Sequence, residues 1–239
     1  TVTGGTTHAT LTYTAPHFQK NTPVDVTAVR LQVTRDDGAA ATFTNAQLKF
    51  QFPVILDPPT ALRVRDLDGD GVPEVVLEDF TGGAHCCFDT RVVWYSAAAS
   101  AYQLRIQQWG DVPPTLKDLN KDGVPEFAGF DDRFAYAFGD PYVASVFPPE
   151  VWNFRAGAFV DTSRQFPAYF AKQLKDYWKT YVRARSFGAP ADALAAYIAT
   201  AAIAGQKPAA VRRAKLAEGH RNPRMLRTIL RTLVRWGYR

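Results

Sequence analysis

The chain has 239 residues, 46% hydrophobic and 21% charged, with a formal net charge of +5. This composition excludes an intrinsically disordered chain and supplies enough apolar material for one large core or two small ones. No run of about 18 apolar residues occurs, so no helix is expected to span a membrane, and the two cysteines are adjacent, which excludes a disulfide framework between distant segments. The charge is unevenly divided: residues 1–160 hold 12 Lys+Arg against 19 Asp+Glu, whereas residues 161–239 hold 16 against 4. A basic segment of this kind can bind an anionic surface or dock on the acidic half of its own chain.

The chain opens Thr1-Val2-Thr3-Gly4-Gly5 with neither Met nor an apolar leader, as expected for a mature chain after cleavage or for a trimmed one. Residues 1–60 alternate in period two. Thr10 to Tyr13, Val24 to Thr34 (with Val24, Val26 and Ala28 on one face), Ala41 to Thr44 and Leu48 to Phe52 read as half-buried antiparallel strands. Asp36-Asp37-Gly38 signals a hairpin turn, and Pro53, Pro58 and Pro59 break the pattern.

Two copies of an acidic loop follow, 52 residues apart. Asp66-Leu67-Asp68-Gly69-Asp70-Gly71-Val72-Pro73-Glu74 and Asp118-Leu119-Asn120-Lys121-Asp122-Gly123-Val124-Pro125-Glu126 share seven of nine residues. Oxygen ligands at the first, third, fifth and ninth positions suit a hard cation such as Ca²⁺. The seventh residue, Val72 or Val124, would add a carbonyl, and Gly at the sixth permits the sharp turn. Position twelve is Leu77 or Gly129 instead of a bidentate Glu, and short apolar runs follow each loop, so these are loops between strands and not EF-hands. The first copy has four carboxylates, whereas the second carries Asn120 and Lys121, so two sites of unequal Ca²⁺ affinity are expected.

The pattern Asp-x-Asp-Gly-Asp-Gly-x-x-Glu before a buried strand resembles the calcium loop of FG-GAP and VCBS repeats, the family that includes the blades of integrin α-chain propellers. Phe80-Thr81-Gly82-Gly83-Ala84 is a loose echo of that family's signature, and the likeness covers roughly residues 60–160. The Gly-Gly-Ala-His-Cys-Cys run and Asp131 to Phe138 also resemble uncharacterised exported bacterial proteins with such repeats. The resemblance implies an exported protein, periplasmic, surface-bound or secreted, in which millimolar Ca²⁺ keeps loops of modest affinity filled.

Each repeat has material for a four-stranded, blade-like sheet. The first would use Leu62 to Arg65, Glu74 to Phe80, Arg91 to Ser96 and Tyr102 to Gln108. The second would use Thr115 to Lys117, Glu126 to Phe130, Phe134 to Phe138 and Val151 to Phe154, with Gly157 turning into Phe159-Val160. Two blades cannot close a propeller. The order of preference is a multi-sheet β domain completed by the amino-terminal strands, then blades in an oligomeric ring, then a sandwich.

Between these strands lie His85, Cys86 and Cys87. In an exported protein a Cys86–Cys87 vicinal disulfide is the leading reading. A His-Cys-Cys metal site and a pair of free thiols are the alternatives. The four histidines, His8, His17, His85 and His220, are scattered, and no nucleophile elbow, zinc-protease helix or phosphate loop occurs. Glu78, Asp79, Asp131 and Asp132 follow the two loops at matching offsets; repeat symmetry explains them without catalysis, and no catalytic residue is assigned.

From residue 163 the period becomes helical. Ser163 is a candidate cap. Phe166, Phe170, Leu174, Tyr177, Trp178 and Tyr181 form an aromatic face, and Gly188-Ala189-Pro190 ends the helix. Further helices run from Pro190 to Ala204, from Pro208 to Gly219 and from Asn222-Pro223 to Trp236. The last pairs an apolar stripe (Leu226, Ile229, Leu230, Leu233, Val234) with Arg224, Arg227, Arg231 and Arg235. Such a helix can touch an anionic surface, or simply pack with a solvated Arg face. Nucleic acid is disfavoured, because no aromatic-interleaved basic strand or recognition motif is present.

The expected fold is α+β: mainly antiparallel β, with an amino-terminal segment (1–60), two calcium-loop repeats (61–162) and a carboxy-terminal helical cap (163–239). The expected function is non-catalytic: a structural or adhesive cell-envelope module, stabilised by two Ca²⁺ ions, with an envelope protein or polysaccharide as partner. Two alternatives are a redox or hydrolytic metal enzyme centred on His85, Cys86 and Cys87, and an envelope anchor built on the last helix.

Overall fold

Period-two patterning in the amino-terminal half and period-3.6 patterning in the carboxy-terminal half produce a mixed α+β chain, mainly antiparallel β. The computed structural model describes residues 1–15, 24–50, 54–56, 61–83, 86–139 and 141–239. The strands are β1 (Val2–Gly4), β2 (Thr7–Thr14), β3 (Val24–Arg35), β4 (Ala40–Thr44), β5 (Val54–Leu56), β6 (Leu62–Arg65), β7 (Glu74–Gly83), β8 (Cys86–Ser96), β9 (Ala101–Gln108), β10 (Thr115–Lys117), β11 (Glu126–Phe130), β12 (Pro149–Arg155) and β13 (Ala158–Asp161). The helices are α1 (Asn45–Leu48), α2 (Pro167–Ser186), α3 (Ala191–Ile203), α4 (Lys207–Glu218) and α5 (Pro223–Arg235). Among the described residues the strands form a sheet of order β1-β2-β3-β5-β7-β8-β9, with β4 on β3 and β6 on β7, and a second of order β10-β11-β12-β13. Two compact units result: Thr1–Phe127 with Trp152–Val160, and Ala128–Val151 with Asp161–Arg239.

In the first unit, β7 and β8 are buried on both faces, which is why Val75-Val76-Leu77 and Val92-Val93 read as continuous apolar runs. Val75, Leu77 and Val93 join a core with Val29, Leu31 and Val33. Val76 and Val92 point the other way, to Leu67, Trp109, Phe127 and Phe154. The predicted face of Val24, Val26 and Ala28 does not persist. Val26 is buried, but a bulge between Thr27 and Arg30 puts Ala28 at φ 51, exposed, and passes the buried register to Val29.

The residues predicted to form a strand from Leu48 instead close α1, because Gln47 accepts from the Thr44 N–H at 2.9 Å in a capping box and Lys49 turns left-handed at φ 53. Gln51, Phe52 and the three strand-breaking prolines lie outside the described residues. The released carbonyls of Leu48 and Lys49 accept from the Arg91 guanidinium at 2.6 and 3.2 Å, and Phe50 stacks on it at 4.2 Å. Arg91 is fully buried on β8, paired with Asp79 of β7 and, at 3.4 Å, with Asp89. Burial lowers its pKa to about 10, so it remains charged at neutral pH.

The predicted strand Phe134 to Phe138 is a turn. Asp131 accepts from the Arg133 N–H at 3.1 Å and starts a 3₁₀ turn, and Tyr136 and Gly139 take φ values of 57 and 95. Ser163 does not cap α2. It lies in a separate 3₁₀ turn, where its hydroxyl accepts from the Val151 N–H at 2.9 Å, and α2 opens at Pro167.

In the second unit, α3 is buried along its whole length; its alanines let α2, α4 and α5 approach closely. Buried Glu218 of α4 accepts from Tyr181 at 2.6 Å and Asn222 at 2.5 Å and pairs with Arg185 at 3.0 Å. Tyr238 donates to Asp131 at 2.7 Å, and Arg164 donates to the Gly237 carbonyl at 2.9 Å, which holds down the carboxy terminus.

Replacing Arg91 with Met leaves two buried carboxylates without their cation and is expected to cost about 3–5 kcal/mol at pH 7. Burial already holds Asp89 above the ordinary carboxylate range. A carboxylate with a raised folded pKa loses stability as pH rises, so the deficit should shrink toward about pH 4. Urea midpoints at the two pH values check both statements.

Candidate metal centres

The two acidic loops occupy equivalent places. The first joins β6 to β7 with Arg65 paired to Glu74, and the second joins β10 to β11. Each therefore links the first two strands of a four-stranded succession, β6-β7-β8-β9 or β10-β11-β12-β13.

The loops match bond for bond. In the first, Asp66 accepts from Gly69 and Gly71 at 2.7 and 3.0 Å, Asp68 from Asp70 at 3.3 Å, Asp70 from Val72 at 2.7 Å, and Glu74 from Leu67 at 2.7 Å. In the second, Asp118 accepts from Lys121 and Gly123 at 2.6 and 3.0 Å, Asn120 from Asp122 at 3.1 Å, Asp122 from Val124 at 2.8 Å, and Glu126 from Leu119 at 2.8 Å. These bonds fix the same backbone course in both loops. Gly71 and Gly123 hold φ 84 and 93, a left-handed conformation that disfavours a Cβ. Position four is left-handed too: Gly69 at φ 79, but Lys121 at φ 66. A Cβ on Gly69 would lie 3.1 Å from Val124, so the two loops touch within the first unit.

Glu74 and Glu126 are buried at 4% and 1% exposure. Asn153, far off in sequence on β12, donates to Glu126 at 3.3 Å; no local sequence signal marks it. Ligand oxygens of Asp66, Asp68 and Glu74 lie within 4.8 Å of one another, a donor set of hard oxygens that could hold a divalent cation. Without one, the charges oppose each other. Burial first, then Asp68, Asp70 and Asp66, push the Glu74 carboxyl up to about 8, and burial with Asp70 raises Asp68. The second loop is electrostatically relaxed. Its Asp122 is lowered by the Val124 N–H and the Asn120 amide, which donates at 2.7 Å. Asp118, Asp122 and Glu126 form no such trio among the described residues.

The other candidates are used differently. Asp79 pairs with Arg91, and Asp131 accepts from the Arg133 side chain at 2.7 and 2.6 Å, so each repeat's trailing aspartate holds an arginine. Cys87 is disulfide-bonded, so its sulfur is no thiolate ligand, and its N–H donates to Thr81 at 2.7 Å. His17, His85 and the side chain of Cys86 lie outside the described residues. Arg224, Arg227, Arg231 and Arg235 are exposed on α5, above buried Leu226, Ile229 and Leu233.

Part of the chain is similar to a probable thylakoid lumen protein of Synechocystis sp., with 30% identity over 139 residues. The match covers 54% of this chain and 41% of that protein, so the chain spans less than half of the relative's length. No protein-family model matches the chain, and no solved structure matches it.

Lys121→Gly should remove both a left-handed side chain and a cation from the second loop, raising stability by about 1 kcal/mol and tightening divalent-cation binding there. Calorimetric titration checks the second effect. In cation-free protein, Glu74 favours protonation when folded, so its contribution falls as pH rises from 4.5 to about 8. The thermal shift on adding Ca²⁺ should therefore grow across that window and flatten in Glu74→Gln.

Proposed function

We propose that this chain is a non-catalytic, calcium-stabilised module of an exported or lumenal compartment, in which two FG-GAP/VCBS-like loops hold blade-like sheets. The observation that carries the reading is the bond-for-bond match of the two loops, each closed by a buried glutamate, with Asp66, Asp68 and Glu74 gathered in the first. The compartment is supported by the similarity to a probable thylakoid lumen protein.

The mechanism is linkage. Ca²⁺ binds the folded loops but not the unfolded chain, and adds about 2.7 kcal/mol per site at one hundred times Kd. Asp66, Asp68, Asp70 and Glu74, with the Val72 carbonyl, would hold the tighter ion. Asp118, Asn120, Asp122 and Glu126, with the Val124 carbonyl, would hold the weaker one, since fewer carboxylates offset less of the dehydration cost. The module then offers a rigid β surface to a protein or polysaccharide of the compartment.

Elemental analysis of chain dialysed against Ca²⁺ should give two calcium ions and no stoichiometric copper, zinc or iron. Titration should resolve two affinities, with Asp68→Ala costing more thermal stability than Asn120→Ala. A transition metal bound in equal amount, or a melting temperature indifferent to Ca²⁺ and chelator, would defeat the proposal.

A further inference from the structure

We infer that α5 is a peripheral docking surface for an anionic lipid bilayer, contacted through Arg224, Arg227, Arg231 and Arg235. Their spacings of three, four and four residues place them within an arc of about 80° and along about 16 Å of helix, a single straight ridge. All four are exposed, and among the described residues none has an ion-pair partner.

Other arginines of the same unit are engaged internally. Arg133 pairs with Asp131, Arg164 donates to Gly237, Arg185 pairs with Glu218, and Arg213 lies 3.7 Å over Trp178. The ridge on α5 therefore has no evident structural task. Of the four acidic residues after position 160, Asp192 and Glu218 are fully buried and Asp176 pairs with Lys179, and in the unit's earlier segment Asp131 is held by Arg133.

The chemistry of the helix selects the partner. Leu226, Ile229 and Leu233 are buried beneath the ridge, so α5 cannot roll its apolar stripe into hydrocarbon; contact is confined to the headgroup level, with half-exposed Val234 bordering the ridge. The ridge is convex, and laterally mobile headgroups can gather under a straight row of guanidiniums without a matching groove. Trp178, Tyr181, Tyr197 and Trp236 are occupied by ring packing within the unit, so they offer no platform for stacking nucleic-acid bases.

The test is co-sedimentation of the full chain with vesicles of phosphatidylcholine alone or mixed with phosphatidylglycerol, with calcium chelated so that the acidic loops take no part. Binding to the mixed vesicles alone, falling with added salt, is expected. Each arginine changed to Gln should lower partition about fivefold. Arg227→Gln with Arg231→Gln should thus lose about 25-fold, and the variant of all four about 600-fold. A charge-matched variant at exposed Lys172, Lys175, Arg183 and Arg212 should keep most of the binding. Thermal melts establish that each variant is folded, and the double variant suffices if the fourfold one is not. Equal loss in the charge-matched variant, undiminished partition of the ridge variants, binding to neutral vesicles, or stronger binding to an RNA oligonucleotide at equal phosphate concentration would overturn the inference.

Discussion

Two buried glutamates hold the β unit in its form. Glu74 and Glu126 each begin a strand, sit almost out of water, and accept the N–H of the second residue of the loop that precedes them. That one contact ties the start of each loop to its end. It also concentrates charge where solvent cannot screen it, most strongly around Glu74. A hard cation held by Asp66, Asp68 and Glu74, as proposed above, would relieve that conflict and couple stability to ion binding at the same atoms.

The same economy recurs after each loop. Asp79 and Asp131 hold equivalent places in the two repeats, and each engages an arginine. Arg91 is buried and gathers α1, β7 and β8 around one guanidinium, whereas Arg133 stays half exposed beside Trp236. The two arginines come from different places, Arg91 from the next strand and Arg133 from two residues on, so one pair is a core hub and the other a surface pair.

The helical unit separates its two chemistries cleanly. Apolar and buried polar groups of α2, α3, α4 and α5 close on one another, with Glu218 satisfied by Tyr181, Arg185 and Asn222. The positive charge is left outside. A stripe that in an isolated peptide would drive insertion into lipid is consumed by α3 packing, and what remains exposed is a row of guanidiniums.

Much was legible from local pattern. The nine-residue loops, the turn at Asp36 to Gly38, the switch from strand to helix near residue 163 and the stripe of α5 follow from ligand spacing, glycine placement and periodicity, all short-range properties of the chain. The unequal character of the two loops was legible too, because Asn120 and Lys121 change charge directly. What only the tertiary structure decided depends on groups distant in sequence. The carbonyls of Leu48 and Lys49, freed where α1 closes, are taken by Arg91, more than forty residues on. The bulge at Ala28 reassigns a buried face. Residues 128–151 join the helices, with Asp131 meeting Tyr238, and Asn153 reaches Glu126 from another strand. Local periodicity encodes which face of an element is buried; it does not encode which remote polar group will meet it there.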